Sequence, residues 1–372
     1  MVFQAHHYFS FASHAAFGSS LRAWIKILYR NKFAIHPFFI PKAIFITCAI
    51  VLGIPFRWYE RQKFKTKIAA QKISNPVFII GHPRSGTTFI HYLLSRDAQF
   101  AFCTTTQAIL PHVFLTGSGI LGPFIKKALP ETRPMDNLKM GSELPKEEEF
   151  AMVSFGLESM IAGFYFPKNY AALFKKEVLF QNNPLAEKRW KRNFDYFLKK
   201  LSYANKGKRL LLKSPANTGR IKQILELYPD AKFIHIHRNP YEVFSSTNHL
   251  FSKMLPMLSF QKIKKEKVEA DVYECYSALY QKYFEEKILI PKENLVEIDY
   301  KIFTQNPLQS IENIYKSLNL RGFEEAKLNF EEELKVYKNY ETNRFTLPAE
   351  AKKKIAEEWL FAFEKLGYST AV

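Results

Sequence analysis

Apolar and polar positions along the 372-residue chain change period several times. Pro76–Ile80 (PVFII) is a short apolar run that leads into Gly81-His-Pro-Arg-Ser-Gly86, and Thr87–Leu94 then takes up a helical period. Arg209–Lys213 (RLLLK) and Lys232–His237 (KFIHIH) read as buried strands, and residues 294–298 as a further one. Asn217 is placed to cap a helix that ends near Tyr228, and Pro240 opens another over Tyr241–Leu250. Helices are also expected at 307–318 and 348–366. Strands alternating with helices predict an α/β fold with a P-loop-like parallel sheet flanked by helices. Residues 98–207 read as irregular and aromatic-rich, with a proline-broken stretch at 117–134 and a helix at 146–160.

Residues 1–72 differ from the rest. They read as helical, and they carry eleven Lys or Arg against one acid, Glu60, which is more than half of the chain's net +19. Their apolar run 43–56 would span about 21 Å as a helix at ~1.5 Å per residue, short of the ~30 Å hydrocarbon core. A true span, an interfacial helix and a plain buried helix all stay open. Residues 59–72 read as a polar connection into the core. The expected division is therefore 1–72 as a basic helical extension and 73–372 as the catalytic domain. Basic residues interleaved with apolar stretches point to a membrane surface rather than a nucleic-acid groove. No zinc spacing or RNA-binding signature contradicts this. Three widely spaced cysteines, Cys48, Cys103 and Cys275, make no disulfide framework. The expected location is cytoplasmic, peripheral on the membrane.

The candidate chemistry begins at the strand–loop–helix around Gly81–Thr88. Backbone N–H groups and a helix start converge there on one anion. The spacing fits the Walker A template G-x-x-x-x-G-K-[ST] except that Thr87 stands where the lysine belongs. Ligands on parallel sheets sit outside the carboxyl ends of the strands. That rule brings Arg84, Ser85, Gly86, Thr87 and Thr88 to one edge with Lys213-Ser214 and Arg238. Ser246 lies eight residues after Arg238, about two turns into the next helix, and this Arg–Ser pair suits a second phosphate.

Pro83–Thr88 (PRSGTT), Leu212–Pro215 (LKSP), Tyr228–Arg238 (YPDAKFIHIHR) and Ser246, in that order, resemble the sulfotransferase superfamily over residues 76–345, in its broad, largely bacterial branch. The resemblance implies transfer of a sulfuryl group from 3′-phosphoadenosine 5′-phosphosulfate (PAPS) to a hydroxyl, with adenosine 3′,5′-bisphosphate as product and no metal. It implies that Arg84 and the loop hold the 5′-phosphate and that Arg238 and Ser246 hold the 3′-phosphate. Lys213 then stabilises the leaving oxygen, and Arg344 approaches the cofactor. A sulfuryl group carries less charge than a metal-bound triphosphate, which accounts for Thr87.

Where small-molecule relatives place a catalytic histidine, this chain has Pro215. Where tyrosylprotein-type relatives place a glutamate, residues 103–108 hold no carboxylate. The general base is then sought among Glu147, Glu148 and Glu149, with Glu147 pointing inward if residues 146–160 form one helix; His112 and Asp136 rank below them. An acidic first helical turn is also what the helix dipole favours without any catalytic role. His235 and His237 alternate with apolar residues and are expected to pack. The aromatic segment 98–207 suits an apolar acceptor, a lipid- or sterol-like alcohol. Two other classes stand beside this reading. A P-loop small-molecule kinase would need the missing lysine and a strand-end aspartate for Mg²⁺. A non-catalytic nucleotide-binding membrane protein would lack a base near the sulfuryl position.

Overall fold

The computed structural model describes residues 14–338, 343 and 345–371. They form two compact units. One unit draws on residues up to 72, 103–207 and 250–271; the other on 73–102, 208–249 and residues from 272 onward. The expected boundary after Lys72 is one of the joints between units, and the described residues before it fold together with the two later segments.

The second unit is built on a five-stranded sheet in the order β2-β3-β1-β4-β5. Its strands are β1 (Val77–Ile80), β2 (Phe100–Ala101), β3 (Arg209–Lys213), β4 (Lys232–His237) and β5 (Leu295–Asp299), and every pairing is parallel. β1 is buried along its whole length, as a continuous apolar run in the middle of a parallel sheet should be. The register pairs Ile79 with Lys213, Ile80 with His235 and His237 with Asp299, so the carboxyl ends of β3, β1, β4 and β5 line up. One core cluster packs Val77, Ile79, Leu211, Ile234 and Ile236 with Phe303, Ile311, Ile314 and Phe330. The last four come from the helices Tyr300–Gln305, Pro307–Ser317 and Phe323–Val336. Tyr276, Tyr280 and Tyr283 are fully buried on one stripe of the helix Lys265–Glu286.

Several local expectations give way. Ser214, not Asn217, makes the cap: its side chain accepts from the Ala216 N–H at the start of a 3₁₀ turn, and the helix that follows is only Ile221–Leu227. The C-terminal helix divides into Ala349–Glu358 and Leu360–Leu366. Trp359 at the break is buried against Tyr276, ring centroids 3.7 Å apart, so tertiary packing overrides helix continuity there.

The first unit is helical. In Leu21–Arg30, Trp24, Ile27 and Leu28 face inward, and Ser20 caps the start by accepting from Ala23 N–H. Ile40–Leu52 and Ile54–Ala69 meet at Gly53. Among the described residues no single helix is long and apolar enough to cross a membrane; Pro37–Leu52 and Ile54–Ala69 pass on length and composition only as a pair bent by 41°. Residues 59–69, expected as a connection, belong to that second helix. The irregular segment holds a 21-residue helix, Pro184–Ala204, which buries Trp190, Phe194, Phe197 and Leu201. Phe114–Ala128 runs through Pro123 instead of breaking there. The single helix expected at 146–160 is a short turn, Glu149–Met152, and a separate helix, Met160–Tyr165, capped by Ser159.

Candidate functional site

The sheet unit closes β1 with a strained loop. Gly81 has φ +142°, and a Cβ there would lie 2.2 Å from the Ile236 carbonyl oxygen. Gly86 has φ +97°, and its Cβ would meet the Tyr300 ring at 2.4 Å. Only glycine suits either place. Between them Arg84 adopts φ +75° with a full side chain. The Thr87–Leu94 helix starts directly after Gly86, and its first N–H groups have no carbonyl within their own helix to bind. This is a backbone cradle for an anion.

Side chains from three strand ends complete it. Lys213 ends β3, only 2% exposed, and its Nζ donates to Thr88 Oγ1 at 3.3 Å. His91, one turn along the helix, is buried beside it. Burial first, then the Lys213 charge, push the His91 imidazole well below its usual range, so the cation faces a neutral neighbour. Arg84 Nε donates to Ser246 Oγ at 2.9 Å, and Arg238 Nη1 reaches the Arg84 carbonyl at 3.5 Å. The structure therefore brings Arg84, Arg238 and Ser246 into one group, and Lys213 and Thr88 into another. Arg84, expected at the 5′-phosphate, stands in the first of these groups, with Arg238 and Ser246. Ser214 is buried and spends its hydroxyl on the cap described above. Arg344 lies outside the described residues.

Three residues at this edge were not legible in the sequence. Tyr300 follows the end of β5, packs against Gly86 and lies under Arg238, whose guanidinium is 4.4 Å from the ring centroid. Glu242, one turn after Arg238, pairs with it at 2.5 Å. The i,i+4 spacing was the available signal for Glu242, and the strand-end position was the signal for Tyr300. Asp299 is a strand-end aspartate that the sequence reading did not see. Its carboxylate caps the next helix by accepting from Lys301 and Ile302 N–H, and it also takes the Tyr368 hydroxyl. Among the described residues no group of three His, Cys, Asp or Glu side chains is placed to hold a metal ion.

His235 and His237 are structural. His235 pairs with Glu297 at 3.2 Å and His237 with the Tyr368 hydroxyl at 2.8 Å. Burial, chiefly, pushes His237 down to about 4.

The glutamates belong to the helical unit. Because the helix begins only at Glu149, the inward face predicted for Glu147 does not form. Glu147 is half-exposed, while Glu148 and Glu149 are both 1% exposed. Glu149 accepts from Met160 N–H at 2.7 Å and so starts the next helix. Glu148 lies near Cys103, whose thiol is pushed up by burial and then by the Glu148 charge. His112 bonds the Ser154 carbonyl at 3.1 Å and is pushed down to about 3, chiefly by burial. Asp136 is buried and paired with Arg133 at 3.1 Å.

A strand–loop–helix start flanked by a strand-end lysine and an Arg–Ser pair on a parallel sheet is the arrangement of a transferase that handles an anionic group. The model of the sulfotransferase family matches residues 76–325, which contain every part of that edge. The chain belongs to the sulfotransferase family. It is 30% identical over 352 residues, 94% of this chain and 90% of the relative, to omega-hydroxy-beta-dihydromenaquinone-9 sulfotransferase Stf3 of Mycobacterium bovis, and equally to that of Mycobacterium tuberculosis. In fold it is similar to sulfotransferase STF9 from Mycobacterium avium, with TM-score 0.71 and 17% identity, covering 99% of this chain and 98% of that one. STF1 from Mycobacterium tuberculosis follows, with TM-score 0.65, 15% identity and 91% coverage of each chain.

Proposed function

We propose that the protein transfers a sulfuryl group from PAPS to the hydroxyl of a hydrophobic acceptor at a membrane surface. The observation that carries the donor is the pair of cationic groups at one strand edge. Lys213 with Thr88 and the loop N–H groups suits a 5′-phosphate, and Arg84, Arg238 and Ser246 suit a 3′-phosphate. The donor set is cationic, hydroxyl and amide throughout, which fits two anions. PAPS, when bound, supplies the sulfuryl group. Lys213 stabilises the charge that builds on the leaving oxygen, in a buried place where a charge acts strongly. Arg84 lies on the same loop that leads into Thr88 and holds Ser246, and Tyr300 lies against the Arg238 guanidinium. Glu148 is the carboxylate we assign to take the acceptor's proton, with Glu147 behind it.

The acceptor class rests on two supports. A relative at 30% identity acts on omega-hydroxy-beta-dihydromenaquinone-9, a lipid with a terminal hydroxyl. The described part of residues 1–72 also exposes Phe33, Phe38, Leu52, Phe56 and Trp58 among its lysines and arginines. Its one acid, Glu60, is buried. An apolar surface ringed by cations suits an anionic bilayer on the cytoplasmic side.

The test is nucleotide preference. Purified protein should bind adenosine 3′,5′-bisphosphate at least tenfold more tightly than ATP in calorimetry. Arg238→Ala removes charge-assisted hydrogen bonds of about 1.5–3 kcal/mol and should weaken that binding about 10–100-fold. Equal affinity for the two nucleotides would rule the donor out.

A further inference from the structure

The helical unit holds a cavity of about 790 Å³ that the anion cradle does not use. The helices that wall it are tied together by one buried ion pair. Glu60 and Lys200 meet at 2.5 Å, each 1% exposed. Glu60 also accepts from the Thr116 N–H and hydroxyl, both at 2.7 Å, and Lys200 donates to the Pro111 carbonyl at 2.7 Å and lies 4.3 Å over the Phe114 ring. Three helices, Ile54–Ala69, Phe114–Ala128 and Pro184–Ala204, are tied at that point. One turn further along, Phe64 and Tyr203 face each other with ring centroids 5.6 Å apart. Together with Phe114 and Leu115 they form the apolar wall. A buried ion pair contributes little net stability against an apolar replacement, so its effect here is geometric: it fixes where the walls stand.

The rest of the lining is mostly polar. Thr106 Oγ1 donates to the Ser142 carbonyl at 3.1 Å and lies 3.3 Å from a Glu143 carboxylate oxygen. The same segment continues through Lys146, whose N–H bonds the Cys103 carbonyl at 2.8 Å, into Glu147 and Glu148. Lys206 is the single cation among the lining residues and Glu143 the single acid, so a polyanion finds no net counter-charge there. The volume lies in the ordinary range for a small-molecule site, roughly 300–1,000 Å³. The helix that supplies Phe64 also exposes Phe56 and Trp58, two turns earlier.

We infer that this cavity receives the hydroxyl-bearing end of a long prenyl or alkyl chain, drawn from the bilayer that the same helix contacts. Hydrocarbon lies on Phe64, Phe114, Leu115 and Tyr203, and the uncharged polar end faces Thr106 and Glu143. The inference rests on the sulfuryl-transfer reading for its biological meaning, but its test is independent of it. The full-length protein, on phosphatidylglycerol-containing vesicles, is photolabelled with a hexadecan-1-ol carrying a diazirine near the hydroxyl, and the labelled peptides are mapped. Label should fall on peptides containing Thr106 or Glu143, beside the hydroxyl. Unlabelled hexadecan-1-ol should compete and hexadecane should not. Leu115→Trp and Ser118→Trp, at two positions on the Phe114–Ala128 helix that line the cavity, fill the space and should each lower that labelling at least fivefold with adenosine 3′,5′-bisphosphate affinity unchanged. Label mapping elsewhere in the wild type, or equal competition by hexadecane, overturns the inference whether or not the variants fold. Wild-type protein that labels as expected but does not bind the bisphosphate supports the cavity and sinks the donor reading instead.

Discussion

In the sheet unit the candidate residues stand at strand ends, and the backbone itself makes half of the site. In the helical unit no such edge exists; what matters there is which side chains are buried and which are left in water. Lys213 and Arg238 each follow a run of apolar residues, so parallel register brings them to one edge. Glu60, Glu148 and Glu149 are buried by packing that local sequence does not announce. The difference teaches that a parallel sheet states its binding edge in its connectivity, whereas a helical unit must be seen folded.

The sharpest test of that contrast is catalytic. Glu148→Gln keeps the volume and removes the base, so kcat should fall by about 10²–10⁴ while adenosine 3′,5′-bisphosphate binding holds. If Glu148→Gln and Glu147→Gln both retain full activity, the base lies elsewhere. The next effect is on stability. Glu60→Ala leaves Lys200 buried without its partner and should cost about 3–5 kcal/mol, read by urea denaturation. Glu60→Ala with Lys200→Met should recover most of that loss; failure to recover would mean that the pair does more than fix geometry. The smallest effect is at the surface. Phe56→Ser removes an exposed ring and should weaken binding to anionic vesicles by about tenfold, since burying such a side chain contributes ~1.5–3 kcal/mol. The midpoint of thermal unfolding should stay where it is. Undiminished vesicle binding would separate this face from the membrane.

The sheet was legible because its strands are short, apolar and bounded by glycine, proline or charge, and four of the five were placed nearly to the residue. β2, only Phe100–Ala101, carries too little pattern to be seen. The grouping of Arg84 with Ser246 was not legible, because 162 residues separate them and no periodicity links a loop to a distant helix. The choice between Glu147 and Glu148 turned on where one helix begins. A start at Glu149 rather than Lys146 turns the predicted face away. The helix Pro184–Ala204 carries a 4-3-4 stripe of Trp190, Phe194, Phe197 and Leu201 that its many charges obscured.

Arg84 sits in a backbone conformation that few side chains adopt. A non-glycine residue at φ +75° carries about 1 kcal/mol of conformational cost or more, and here it is held by Ser246 at one end and Arg238 at the other. The shape of the loop is thus set in part by contacts within its own chain. A loop fixed by its own chain loses less entropy on receiving a phosphate than a mobile one, and discrimination between nucleotides then rests on charge placement more than on loop closure.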